Sequence, residues 1–170
     1  SVVITWDTSG SVSPYIPKTV AAVRSWAKAL LPGRDALNLL PFGAAGPMLP
    51  DFAVSPEEVA PALRDMTPDD SSAAEDAMMI ASRALKTRDG ARGIVVLTDS
   101  EAGYQRDLWP ALMAAHPRVV SLSIDSNDRQ NAAIMMDWAT VNRGHFLRVT
   151  GPAGLADGLD MAAALFRAPK

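Results

Sequence analysis

The chain has 170 residues, 48% of them hydrophobic, with a mean hydropathy of +0.06, enough for one sizeable core but short for two. A net charge of -3 and a pI of about 5.3 supply no basic field for gripping phosphates, which argues against nucleic acid as a partner, and no apolar run reaches the ~18 residues of a membrane span or resembles a signal peptide. There is no cysteine, so disulfides, thiolate metal sites and a cysteine nucleophile are excluded while the redox compartment stays open.

In chain order, "SVVIT" opens as a short, continuously apolar strand of the kind covered on both faces. A helix is expected from Ile16 to Leu31, with Val20, Val23, Ala27 and Leu30 on one stripe, Pro14 near its start and Pro32-Gly33 as its stop. "ALNLLPF" is the second strand, and the Pro/Gly-rich stretch "PFGAAGPMLPDFAVSP" leaves room for a hairpin or a short edge strand. Helical spacing follows near Pro56 to Arg64 and again through Ala74, Ala77, Met78, Ala81 and Leu85. "GIVVLT" and "VVSLSI" are further buried strands, separated by a helix at Leu108 to Ala115, and "HFLRV" is a weaker strand nearer an edge. Ile134, Met135, Trp138 and Ala139 mark another helix, and Ala153 to Phe166 the last. Strands alternating with helices predict an α/β fold: a doubly wound, mostly parallel central sheet flanked by helices on both faces. Residues 1–170 read as one domain. The absence of an initiator methionine, and a start inside the first strand, suggest one excised from a longer polypeptide.

In such sheets ligands bind beyond the carboxyl ends of the strands, and two acids are expected there. Asp7 follows the first strand, Gly10 permits a tight turn, and Ser9 and Ser11 project hydroxyls towards the Asp7 carboxylate. Asp99 ends "GIVVLT" at the equivalent place. Two carboxylates above neighbouring strands repel, and so need a cation, a shared proton or a hydrogen-bonding cage. Oxygen donors without histidine or cysteine suit Mg²⁺, Mn²⁺ or Ca²⁺ better than Zn²⁺. Asp69, Asp70, Glu101, Asp125 and Asp128 fall on the same rim, as acids around the site or in solvent. Alternatively, Asp7, Ser9 and Ser11 cap the first helix and satisfy turn amides, and Asp99 is a solvated strand-end carboxylate. His116 and His145 stand in no ligand spacing, and the eight methionines read as core filler.

Asp7-Thr8-Ser9-Gly10-Ser11 resembles the D-x-S-x-S signature of von Willebrand factor A domains, and "VVLTDSEAG" resembles the family's strand ending in T-D-G. "LLPGRDALNLLPFG" and "RGHFLRV" are similar to its second-strand and last-strand regions, particularly in the inter-alpha-trypsin-inhibitor-like branch. The resemblance implies a metal-ion-dependent adhesion site, in which a divalent cation keeps one position open for a partner's carboxylate. Its metal ligands would be Asp7, Ser9, Ser11, Ser72 and Asp99, with Ser71 and Asp70 as possible further members. Serine replaces the family's threonine at Ser72, losing the methyl group that restricts the rotamer, and Ser100 stands where glycine usually follows the aspartate. Ser72 with Glu75 also forms a capping box. Glu101 and Tyr104, with Trp109, are candidates for a partner surface.

Three functions compete. A metal-dependent protein-binding module, with no chemistry of its own, would use Mg²⁺ (or Mn²⁺/Ca²⁺) to accept an Asp or Glu carboxylate from another protein. A docking subunit of an ATP-driven chelatase or remodelling complex would use the same domain. A metal-dependent hydrolase or phosphotransferase of the type with an aspartate after its first strand commonly carries a second acid two residues later, where this chain has Ser9, and no general-base histidine or Gly-rich phosphate loop is evident. No membrane insertion by this domain is expected, and an extracytoplasmic or cell-surface setting is slightly favoured.

Overall fold

The structure, a computed structural model, describes residues 1–64, 66, 68, 73–99 and 102–167. The apolar runs become five strands: β1 (Val2–Trp6), β2 (Leu37–Pro41), β3 (Gly93–Thr98), β4 (Arg118–Ile124) and β5 (His145–Val149). All pair in parallel, in the order β2-β1-β3-β4-β5. The helices are α1 (Ile16–Lys28), α2 (Pro56–Arg64), α3 (Ala74–Lys86), α4 (Leu108–Ala115), α5 (Arg129–Val141) and α6 (Gly151–Arg167).

Alternation along each strand divides the interior into two cores. Ile4, Trp6, Val95, Leu97, Val120 and Leu122 pack with Val23 and Trp26 of α1, Val59 of α2 and Leu159 of α6. Val3, Ile94, Val96 and Val119 face the other way, against Met78 and Leu85 of α3, Leu112 of α4 and Trp138 of α5. Each such buried side chain contributes roughly 1.5–3 kcal/mol, and β1, β2 and β3 are accordingly covered on both faces, whereas β4 buries two serines, Ser121 and Ser123, and the edge strand β5 leaves His145 and Arg148 exposed. From β1 the chain moves to β2 on one side, then crosses to β3 on the other. The strand order therefore reverses between β1 and β3, the point at which doubly wound sheets leave a crevice at their carboxyl edge.

Several local expectations change. The first helix ends at Lys28 rather than Leu31 and is preceded by a 3-10 helix over Gly10–Tyr15. The Pro/Gly-rich stretch forms no strand but a single antiparallel bridge, Leu37 with Ala53. Pro47 and Pro50 offer no N–H to a ladder. The loop is instead held by buried Asn38, whose amide donates to the carbonyls of Leu49 and Asp51. Met78 and Met135 are core residues, but Met113, Met136 and Met161 are exposed because they occupy the outward faces of α4, α5 and α6.

Candidate metal centre at the carboxyl edge

Asp7 continues the line of β1 by one residue, its N–H donating to the Leu97 carbonyl at 2.9 Å. The residue is only 4% exposed. Oδ1 accepts the Ser9 N–H at 2.8 Å, and Oδ2 accepts the hydroxyl of Thr98 at 2.7 Å. The Ser9 and Ser11 hydroxyls hydrogen-bond to one another at 3.1 Å. Gly10 opens the 3-10 helix with ordinary backbone angles, so it is not needed there for a left-handed turn. The helix-capping alternative fails for the serines. Ser9 precedes the 3-10 helix without a side-chain cap bond, and α1 follows Tyr15, which makes none either.

Asp99 follows β3 on the neighbouring strand. Burial raises its pKa above the ordinary value; the Ser11 hydroxyl draws it back and the negative charge of Asp7 pushes it up again. Asp7, Ser11 and Asp99 thus share one electrostatic environment. Asp99 Oδ1 is shut off from solvent and has no hydrogen-bond partner among the described residues. A buried carboxylate oxygen of this kind costs about 1–3 kcal/mol or more in lost hydration. The donors present are two carboxylates and two hydroxyls. Among the described residues no three acidic, histidine or cysteine side chains converge. This all-oxygen set with an orphaned oxygen fits a hard divalent cation, which would supply the missing interaction and screen the two charges.

Asp69, Asp70, Ser71, Ser72, Ser100 and Glu101 lie outside the described residues. Of the rim acids that are described, Asp125 accepts from the Tyr15 hydroxyl and from the Gly151 N–H, tying the end of the 3-10 helix to α6. Asp128 caps α5 through the N–H groups of Gln130 and Asn131. Both roles are structural. Helix α3 begins after Ala73, without a side-chain cap bond. Its Glu75 is buried, with Oε1 lying where a β-carbon on Gly103 would have to go. Tyr104 is exposed, stacks on Trp109 with centroids 6.5 Å apart, and donates its hydroxyl to Asp137. Thr98 was not singled out from the sequence as a site residue. Its place immediately before Asp99 was the available signal, because alternation along β3 turns it to the side of the sheet where Asp7 sits.

No family model matches the chain, and no curated protein sequence matches it significantly. Solved structures do resemble it. An aerotolerance-related membrane protein from Bacteroides fragilis superposes with a TM-score of 0.72 at 18% identity, covering 96% of this chain and 98% of its own. The vWF domain of the type V pili tip protein Mfa5 from Porphyromonas gingivalis gives 0.72 at 12% identity, over 99% and 96%. The fold is of the von Willebrand factor A type. BatB from Bacteroides thetaiotaomicron gives a TM-score of 0.70 at 19% identity, over 96% and 98% of the two chains. At these identities the likeness concerns the fold, and the von Willebrand factor A architecture of this chain rests on its β2-β1-β3-β4-β5 sheet with helices on both faces.

Proposed function

We infer that this domain is a divalent-cation-dependent protein-binding module. The observation that carries the reading is Asp99: a carboxylate with one buried, unpartnered oxygen, pushed towards protonation by burial and by Asp7, yet set among hydroxyls rather than cations. Asp7, Asp99, Ser9 and Ser11 would hold Mg²⁺, or Mn²⁺ or Ca²⁺, with Ser72 and its neighbours Ser71 and Asp70 as further ligands. The cation would supply positive charge at the crevice, and the anchor for an Asp or Glu carboxylate from another protein. An ion held partly by neutral hydroxyls keeps more of its charge for that incoming group. Asp7 is pre-set for the role by the Ser9 N–H and the Thr98 hydroxyl, which fix its two oxygens before any ligand arrives.

That two of the similar structures are a pilus tip domain and an aerotolerance-related membrane protein supports a surface or extracytoplasmic setting and a protein partner. Among the described residues no helix is long and apolar enough to cross a membrane. Calorimetric titration with Mg²⁺ and Mn²⁺ tests the reading. Saturable binding is expected, and Asp7→Ala should weaken it by about tenfold or more, beyond the effect of Ser72→Ala, because a charged group is lost rather than a hydroxyl that water replaces. Equal affinities for wild type and Asp7→Ala would refute it. A captured partner should lose on the order of 10²-fold in affinity when EDTA is added.

A further inference from the structure

We propose that the amino edge of the sheet, opposite the candidate metal centre, carries a binding site for a phosphate group. A cavity of about 440 Å³ opens there, between the starts of β3 and β4 and the turn from α5 into β5. Its walls bring together Arg92, Arg118, Arg143 and His116, and among the described residues no acidic one lines it. The size falls in the ordinary range for small-ligand pockets.

The arginines are arranged rather than merely clustered. Arg92 donates from Nε to the Arg88 carbonyl at 2.8 Å and from Nη1 to the Ala115 carbonyl at 2.9 Å. Arg118 donates from Nη1 to the Leu165 carbonyl at 2.9 Å. These bonds fix both guanidinium planes against backbone, and leave Nη2 of each without a protein partner among the described residues. The ion pairs among those residues, Arg34 with Asp35 and Arg88 with Asp51, involve none of the three pocket arginines. Arg143 is exposed at the rim, held at φ 55° in the turn before β5. Phe166 closes the floor, its ring occupying the space that a β-carbon on Gly93 would fill.

Arginines near helix carboxyl ends have a plainer use, since they neutralise the helix dipole. Helices α4, α5 and α6 all end at this edge. Three helix ends contribute roughly -0.5 charge each, about -1.5 together, against three guanidinium charges. A positive excess therefore remains in a domain whose net charge is -3. The adjoining cavity of about 940 Å³, which shares Gly90, Ala91 and Phe166, mixes Arg34, Arg88 and Arg167 with Asp35 and Asp89, so the excess belongs to the first cavity. Arginines lining one space from three separate segments suit a tetrahedral oxyanion with several acceptor oxygens better than a two-oxygen carboxylate. β3 separates this site from Asp99 by about 20 Å, so it functions independently of a cation there.

The test is an NMR titration of the domain with inorganic phosphate in the presence of EDTA, which makes the outcome independent of the cation reading. Saturable shifts confined to the amides around Arg92, His116 to Arg118 and Arg143 are expected, with millimolar or tighter affinity. Arg143→Glu should weaken binding about tenfold, and Arg92→Gln should weaken it too, with circular dichroism confirming that each variant is folded. Arg148→Glu, the same charge change farther along the edge strand, should have little effect. A parallel arm measures retention on phosphatidylcholine vesicles with and without phosphatidic acid. Binding to these vesicles alone, still lost in Arg143→Glu, supports the site with a lipid headgroup as the source of the phosphate. No saturable response in either arm overturns the proposal. So do equal affinities for wild type and Arg143→Glu, or shifts scattered over the surface, which would mean non-specific charge attraction only.

Discussion

At the carboxyl edge of the sheet two aspartates crowd into one crevice, whereas at the amino edge three arginines surround one cavity. Both placements follow from a parallel fold. Helices begin at the carboxyl edge and end at the amino edge, so acids lie near the positive ends of helix dipoles and arginines near the negative ends. What differs is compensation. Arg92 and Arg118 bind three backbone carbonyls, while Asp99 keeps a buried oxygen that has no partner among the described residues. The pocket arginines of the amino edge are tied to backbone with charge to spare, although Arg167 Nε beside them is buried without a partner among the described residues; at the carboxyl edge the unmet group is an acid, and no described residue meets it.

The largest expected effect would sharpen that contrast through backbone packing. A β-carbon at Gly144, in the turn beside the arginine cavity, would meet the Val119 carbonyl oxygen at 1.6 Å, and the neighbouring strand backbone cannot yield that far. Gly144→Ala should cost more than about 3 kcal/mol by urea denaturation, or prevent folding. At the carboxyl edge Gly10 has nothing within 4 Å and no left-handed backbone angle, so Gly10→Ala should stay within about 0.5 kcal/mol. A comparable loss at both glycines would break the comparison.

An intermediate effect is expected at Thr98. Replacing it with valine keeps the shape but removes the hydroxyl donated to Asp7 Oδ2. Stability should fall by about 1–3 kcal/mol, the range for a hydrogen bond to a charged group. Cation affinity should fall as well, since one oxygen of Asp7 loses its positioning partner. Unchanged denaturation and unchanged Mg²⁺ titration would remove Thr98 from the site.

The smallest effects concern pH, and the two edges should differ in sign. Asp99 holds its proton more tightly in the folded state, chiefly because of burial. The metal-free domain should therefore lose stability as pH rises above the ordinary aspartate value of 3.8 and through the folded pKa. Asp99→Asn should remove that loss and raise the melting temperature at pH 7 in EDTA. Asp35, at the amino edge, is held below 3.8, first by its hydrogen bond from Arg34, so its contribution is present above that value and disappears as pH falls through the folded pKa. Asp35→Asn should flatten the acid side by lowering stability slightly at neutral pH, where the contribution is present, and the drop should be small because Arg34 is exposed. Thermal melts across pH 2 to 8 compare the two variants, and the same slope in both would contradict the assignment of opposite shifts.

Much of the architecture was readable because each element carried one dominant signal. "GIVVLT" matches β3, and Pro56–Arg64 and Leu108–Ala115 match α2 and α4, since an uninterrupted apolar run and 3.6-residue stripes leave few alternatives; "HFLRV", interrupted by Arg148, matches the edge strand β5. The 3-10 helix over Gly10–Tyr15 was missed because "GSVSPY" has no apolar period. Asp125 and Asp128 were grouped with the site because sequence places acids after strands without saying whether a neighbouring tyrosine or helix amide consumes them.

By itself the sequence determined the parallel, two-sided sheet and the pair Asp7 and Asp99, because period and strand-end position are local properties of the chain. Tertiary structure alone decided that the Thr98 hydroxyl serves Asp7, that one oxygen of Asp99 lies buried without a partner among the described residues, and that Arg92, Arg118 and Arg143 line one cavity. Those facts depend on residues 25 to 91 positions apart meeting across parallel strands and at helix ends. Burial and hydrogen bonding of that kind are set by the crossovers, and no local pattern in the chain encodes them.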